Sequence, residues 1–352
     1  MTNDRSDVST ARSRQLAFNG LKSFTDASFL GVLLILIVMF VYFSVSSSSF
    51  LTSANINSML TGVSILFVVS IGMTFAMLSG GIDLSVGSIL ALSCILFGKL
   101  ANQAGIPIGL VIVLTLVAGA MIGGFLNGGL IGKIGLSFLV VTLGSNILLR
   151  GVVNLWSNTK TEQIISPFLE GFAFNKFLAV PYPVWVMIVV LALSLYVLRS
   201  TYFGRDVYAV GGNADAARLS GINVGRTIMI VYAITGLLSA LGGVITVSRV
   251  GAASPLVGET LIFEATAAVL IGGTSFKGGA GGVTGTAVGV LFLGVLQNGL
   301  AVSGVQTFWQ QVVTGTILIL AVLIEKFRSE ERISSSLSRF RRTTPDPVSP
   351  AS

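Results

Sequence analysis

The chain offers little to do covalent chemistry with. Its 352 residues include no histidine and a single cysteine, Cys94, which sits inside an apolar run. That excludes His-based dyads and triads, Cys/His zinc sites and a disulfide framework, so neither catalytic nor metal-ligating residues are expected. The polar groups of interest are those embedded in apolar stretches, because such groups are costly in a bilayer and tend to mark pathways. The densest cluster is Gly80-Gly81-Ile82-Asp83-Leu84-Ser85-Val86-Gly87, at the meeting point of two apolar runs. Its paired glycines relax the backbone, and Asp83 and Ser85 can cap the helix that follows. Irregular backbone at that depth is tolerated only in a protein interior or beside water. Asp83 and Ser85 are therefore candidates to line the route of a hydroxyl-rich solute, and a tight turn with Asp83 as a plain cap fits the same residues. Asn127 and Asn298 join them as candidates, since their amides suit sugar hydroxyls as well as neighbouring helices. They lie in matching signatures, Gly123-x-x-x-Asn127-Gly128 and Gly294-x-x-x-Asn298-Gly299. The match hints at an internal repeat of inverted orientation, a common transporter construction.

Two further stretches invite a chemical reading. Gly272 to Gly282 is rich in glycine, yet the chain has no G-x-x-x-x-G-K-[ST] and no strict G-x-G-x-x-G after a strand pattern, so no nucleotide site is expected. Gly285, Gly289 and Gly294 then recur at helical steps that let helices approach closely. Glu264 opens a span and suits the N-terminal dipole, whereas Arg150, near an outer helix end, is expected to snorkel. The second stretch is a charged island, Arg199 to Arg226, set between apolar runs 184–198 and 227–247. In it Asn213 can cap a short helix, Ala214 to Ser220, that Gly221 ends in the left-handed conformation. A helix of about 10 Å cannot cross a bilayer but can lie along its surface. Such a helix presents a docking surface to a soluble partner; a solvated connecting loop is the plainer reading.

The elements that hold these residues follow from composition. Apolar residues make up 53% of the chain and charged ones 10%, against about 25% charged in soluble domains, and mean hydropathy is +0.90. The expected fold is an all-α integral membrane protein of about ten transmembrane helices, with re-entrant or broken helices. Apolar runs place spans near 29–45, 57–79, 85–102, 108–131, 137–156, 183–199, 226–247, 260–273, 282–302 and 308–325. An even number puts both termini on one side. Sixteen of the 21 basic residues then fall in segments assigned to the cytoplasm, the four island arginines among them, as the positive-inside bias requires. The same placement explains the net charge of +7 without a nucleic-acid partner. Residues 1–27 read as a cytoplasmic tail, 28–326 as the membrane domain with its loop 199–226, and 327–352 as a basic, disordered cytoplasmic tail in contact with membrane lipids. The stretch 157–183 is the longest external connection.

Several segments together carry a resemblance: GGIDLSVG (80–87), NGGLIGKIG (127–135), TLGSNILLRG (142–151), GRDVYAVGGNADAARLSGINVGR (204–226) and EATAAVLIGGTSFKGGAGGVTGT (264–286). In this order they resemble the ribose-type permeases of bacterial ABC importers, over about residues 30–325. The resemblance implies a non-catalytic permease of the bacterial inner membrane that moves a monosaccharide or similar polyol. It implies three partners: a second permease copy or paralogue, a cytoplasmic ATPase with two nucleotide-binding halves, and a periplasmic or lipid-anchored sugar-binding protein. The permease holds no cofactor, ATP being bound by the partner. Asn213, Ala216, Ala217, Arg218, Ser220 and Gly221 become the coupling helix that fits a groove on the ATPase. One departure is that Leu136-Ser137, rather than the proline common in the family, precede Phe138. The rival reading is an ion-coupled secondary sugar carrier, for which Asp83 is the tempting titratable group.

Overall fold

The computed structural model describes residues 27–102 and 106–342; the expected N-terminal tail up to 26 and the last stretch of the C-terminal tail, 343–352, lie outside them. The helices are α1 (Ala27–Ser46), α2 (Ser53–Leu78), α3 (Val86–Ala101), α4 (Ile108–Gly132), α5 (Phe138–Ser157), α6 (Pro167–Phe174) and α7 (Tyr182–Ser200). They continue with α8 (Tyr202–Gly212), α9 (Ala214–Leu219), α10 (Val224–Val250), α11 (Leu261–Ile271), α12 (Val283–Val302) and α13 (Thr307–Arg342). Seven of these are long and apolar enough to cross a membrane, and α1, α3 and α11 are shorter apolar helices. Together they account for the ten spans. The last helix continues to Arg342, so residues 327–342, expected to be without structure, are helical.

The order of layers follows from how apolar each helix is around its circumference. A helix that is apolar on all faces belongs inside, and α2, α3 and α10 are buried over most of their length. The Thr235 hydroxyl of α10 donates to the Gly72 carbonyl of α2 at 3.0 Å, which holds the central pair together. By contrast α5 and α13 turn Leu139, Leu143, Ile147, Trp309 and Ile319 outward. The 16 residues of α3 reach about 24 Å and the 11 residues of α11 about 16 Å, short of the roughly 30 Å hydrocarbon core. These are the broken helices, and each begins after a non-helical passage within the protein.

Glycine sets the distance between α4 and α10. A β-carbon on Gly123 would lie 2.1 Å from the Tyr232 carbonyl oxygen, one on Gly236 2.2 Å from that of Gly119, and one on Gly132 2.5 Å from that of Gly225. The two backbones are thus in contact along most of their length. Within α4, Ile122–Gly128 winds as a π-helix, one of the forms by which helices absorb an extra residue at functional places. The glycines of α12 pack as expected: Gly285 and Gly289 lie against α11, and Gly294 against Val63 of α2.

Outside the spans, the long connection 157–183 is structured. Glu162–Gln163 (β1) pairs antiparallel with Ala252–Ala253 (β4), and Lys176–Phe177 (β2) with Val180–Pro181 (β3). Glu162 also pairs with Lys99 at the end of α3, and α6 begins on Pro167, a favoured first-turn residue. Arg150 does not snorkel. Its Nη1 donates to the carbonyls of Pro255 at 2.7 Å and Val257 at 3.1 Å, tying the passage before α11 to α5. Ser137 takes φ −60°, close to the angle a proline ring imposes, so the entry into α5 keeps a geometry that a proline would also give.

Gly123→Leu should therefore lower the melting temperature in detergent by several degrees, an overpacking cost of about 1–3 kcal/mol. Gly144→Ala, with nothing within 4 Å of its added carbon, should melt like the wild type. Equal melting of both variants in a fluorescence-detected thermal series would contradict the contact.

Candidate functional site

Asp83, Ser85 and Asn127 come together, but not around an opening. Asp83 Oδ1 accepts from the Ser85 amide at 2.9 Å and from its hydroxyl at 2.5 Å. Asn127 Nδ2 donates to Ser85 Oγ at 2.8 Å, and Ser145 Oγ donates to Asn127 Oδ1 at 2.6 Å. Asp83, Ser85 and Asn127 are fully buried. Four side chains from the α2–α3 passage, α4 and α5 thereby satisfy one another where the helix is broken. Asp83 accepts from the Ser85 amide in the turn just before α3, while the Ser85 side chain makes no cap bond to that helix. These three form a buried knot in the protein interior, apart from the cavity described next.

Asn298 lies elsewhere. It exchanges two hydrogen bonds of 2.9 Å with Asn55, near the end of α12 and the start of α2. It borders a cavity of about 390 Å³ between α2, α10, α11 and α12. Ser58, Thr246, Arg249, Glu264 and Gln297 also face this space. Glu264 is where the first turn of α11 was expected to carry it, and accepts from the Thr260 hydroxyl at 2.9 Å. No motif pointed to Arg249 or Gln297. Their lining role emerges only when the ends of α10 and α12 are brought beside α2.

At the opposite face the island 199–226 folds as expected, with more structure than one short helix. The Thr201 hydroxyl accepts from the Gly204 amide at the start of α8. Asn213 Oδ1 accepts from the Ala216 amide at 2.9 Å, capping α9. Gly221, with φ +87°, ends it in the left-handed region, and Asn223 Oδ1 caps α10 through the Arg226 amide. The helix ends at Leu219, one residue before the expected Ser220, whose hydroxyl donates back to Ala216. Ala217 is buried against Val210 and Val224, which fixes α9 on α8 and α10. Ala216, Arg218 and Ser220 are exposed, and Arg218 holds only a 3.5 Å contact to exposed Asp215. Leu219, 90% exposed, is the apolar tip of the ledge.

The ledge is joined to the membrane domain by bare backbone. A β-carbon on Gly211 would lie 1.8 Å from the Leu78 carbonyl oxygen, and one on Gly278 2.7 Å from Gly80 Cα. The Gly279 amide donates to that same Leu78 carbonyl at 3.0 Å. Tyr208 adds its hydroxyl, which donates to the Gly281 carbonyl at 3.0 Å. Burial pushes this phenol above its ordinary range, with Arg199 pulling the other way, so it stays protonated as a donor. The glycine-rich connection 272–282 is thus a joint, further tied to α13 by Ser275 Oγ donating to Glu325 at 2.8 Å.

Comparison with known proteins adds to this geometry. A family model described as branched-chain amino acid transport system / permease component matches residues 55–322. The ribose import permease protein of Bacillus subtilis is 40% identical, covering 86% of this chain and 92% of that protein. That of Haemophilus influenzae is 35% identical, with 85% and 93% covered. The xylose transport system permease protein of Escherichia coli is 32% identical, with 91% and 97% covered. No solved structure matches the chain.

If the knot around Asp83 is a structural clasp, Ser85→Ala should cost about 1–3 kcal/mol through the unpaired groups it leaves. A lower melting temperature with normal membrane insertion is the expected result; unchanged melting would show that the knot holds nothing.

Proposed function

The chain belongs to the branched-chain amino acid transport system / permease component family and is a sugar permease of the ABC-importer kind, and on that premise we propose that α9 is its coupling helix. In this reading the permease itself does no chemistry. A cytoplasmic ATPase with two nucleotide-binding domains holds the ATP, a second permease copy or paralogue completes the pore, and an extracytoplasmic binding protein delivers the monosaccharide. The membrane is the bacterial cytoplasmic one, with both termini cytoplasmic, in line with the distribution of basic residues.

The observation that carries the proposal is the doubly capped, six-residue α9, held by buried Ala217 and offering exposed Leu219, Arg218 and Ser220. A ledge that is to receive force has to be stiff, and the caps of Asn213 and the left-handed Gly221 stiffen both its ends. It also has to be attached, and the glycine contacts at Leu78 and Gly80 connect it to the end of α2. Closure of the ATPase dimer would draw the ledges of two permeases together and move α8 and the end of α2 as a rigid body. Asp83, Ser85 and Asn127, three to five residues beyond that joint in the case of Asp83 and Ser85, then preserve the helix break while the domain tilts. Nothing in the relatives favours the ion-coupled carrier.

In vesicles holding the full importer, Leu219→Asp should insert normally yet lose sugar-stimulated ATP turnover, because a charge replaces the apolar tip. Gly221→Glu should do the same through the left-handed position, where a side chain costs about 1–2 kcal/mol. Turnover that stays sugar-stimulated in both variants would remove the coupling role.

A further inference from the structure

The cavity between α2, α10, α11 and α12 carries groups that packing alone does not call for. Arg249 lies against Gly62, where an added β-carbon would stand 3.0 Å from its Nη1; a larger residue there would crowd the guanidinium. Among the described residues no carboxylate comes within ion-pair distance of Arg249, and no hydrogen bond from its guanidinium is found. Glu264 faces the same cavity from α11 and uses one oxygen on Thr260. A cation and a carboxylate therefore border one space from different helices without closing on each other. Collapsed, they would pair; held apart, they offer a fork of donors on one wall and acceptor lone pairs on another.

That arrangement selects among ligands. A simple anion is repelled by Glu264 and a simple cation by Arg249. A neutral polyol suits both walls, because each hydroxyl can accept from the guanidinium and donate to the carboxylate. Gln297 and Ser58 border the same space. The volume of about 390 Å³ falls in the range usual for small-molecule sites and leaves room for bridging waters at roughly 30 Å³ each. The lining contains no aromatic residue, so there is no face for a sugar ring to stack on.

We propose that this cavity is a low-affinity station for the neutral polyhydroxy solute within a single subunit, with Arg249 as donor and Glu264 as acceptor. The proposal rests on the sugar-permease reading, and its test separates the two. Ser58→Cys in the full chain, in lipid nanodiscs, supplies a reporter on the cavity wall; Cys94 is fully buried and adds no background. Gln297→Cys reports from the α12 side of the lining. Millimolar ribose or xylose should slow labelling by a polar maleimide several-fold. Adding Glu264→Gln or Arg249→Ala should abolish the protection while labelling without sugar persists. Uptake by the reconstituted importer, measured in parallel, should show a raised KM in the same two variants. If the wild-type importer moves ribose or xylose and neither sugar slows labelling, the station is overturned and the transport reading stands. Protection by alanine but by neither sugar also overturns it, as does failure of both cysteines to label. A wild-type importer that moves no sugar at all overturns the transport reading itself.

Discussion

Contact between bare backbones is the constraint on which the rest of this protein depends. At the end of α2, Gly80, Gly211 and Gly278 bring three segments far apart in sequence into contact with one another. Side chains there would separate the ledge from the membrane domain by the width of a residue layer. Their absence makes the end of α2, the end of α8 and the 272–282 connection one body. The Asp83 knot lies just beyond this joint, so the same few residues attach the ledge and keep α3 from fusing with α2.

The same device governs the interior. Gly119, Gly123 and Gly132 let α4 lie against α10, while Gly294 lets α12 approach α2. The helix carrying Asn127 thus leans on α10, and the helix carrying Asn298 leans on α2, the two members of the central pair. This reciprocity is what an inverted repeat would produce. The two asparagines are used differently: one is locked with Ser85 and Ser145, the other with Asn55 beside an open space.

Much of this was legible in advance, and the reasons for success and failure are physical. Spans follow from hydropathy because the bilayer forces backbone bonds to be made within each segment, and all ten were visible as apolar runs. The caps at Asn213 and Gly221 were legible because they act between residues two to four apart. The cavity was not, since Arg249, Glu264 and Gln297 meet only through the packing of helices separated by long stretches of chain. Asp83 was legible only in part: its sequence neighbour Ser85 supplies its closest bonds, but nothing nearby in the chain reveals that Asn127, itself held by Ser145, joins Ser85 there. Arg150 likewise found the carbonyls of a re-entrant passage that no periodicity announces.

The π-helical winding at Ile122–Gly128 carries a consequence of its own. An extra residue is a phase shift, turning everything beyond it by about 100° relative to a regular helix. Gly119, Gly123, Gly128 and Gly132 face α10 on both sides of that shift, while Asn127 faces the knot from within it. One helix thereby meets two clients whose spacing no uniform coil could match. Evolution could exchange many of the apolar side chains of α4 freely, but it could not shorten the helix by one position without choosing which client to abandon.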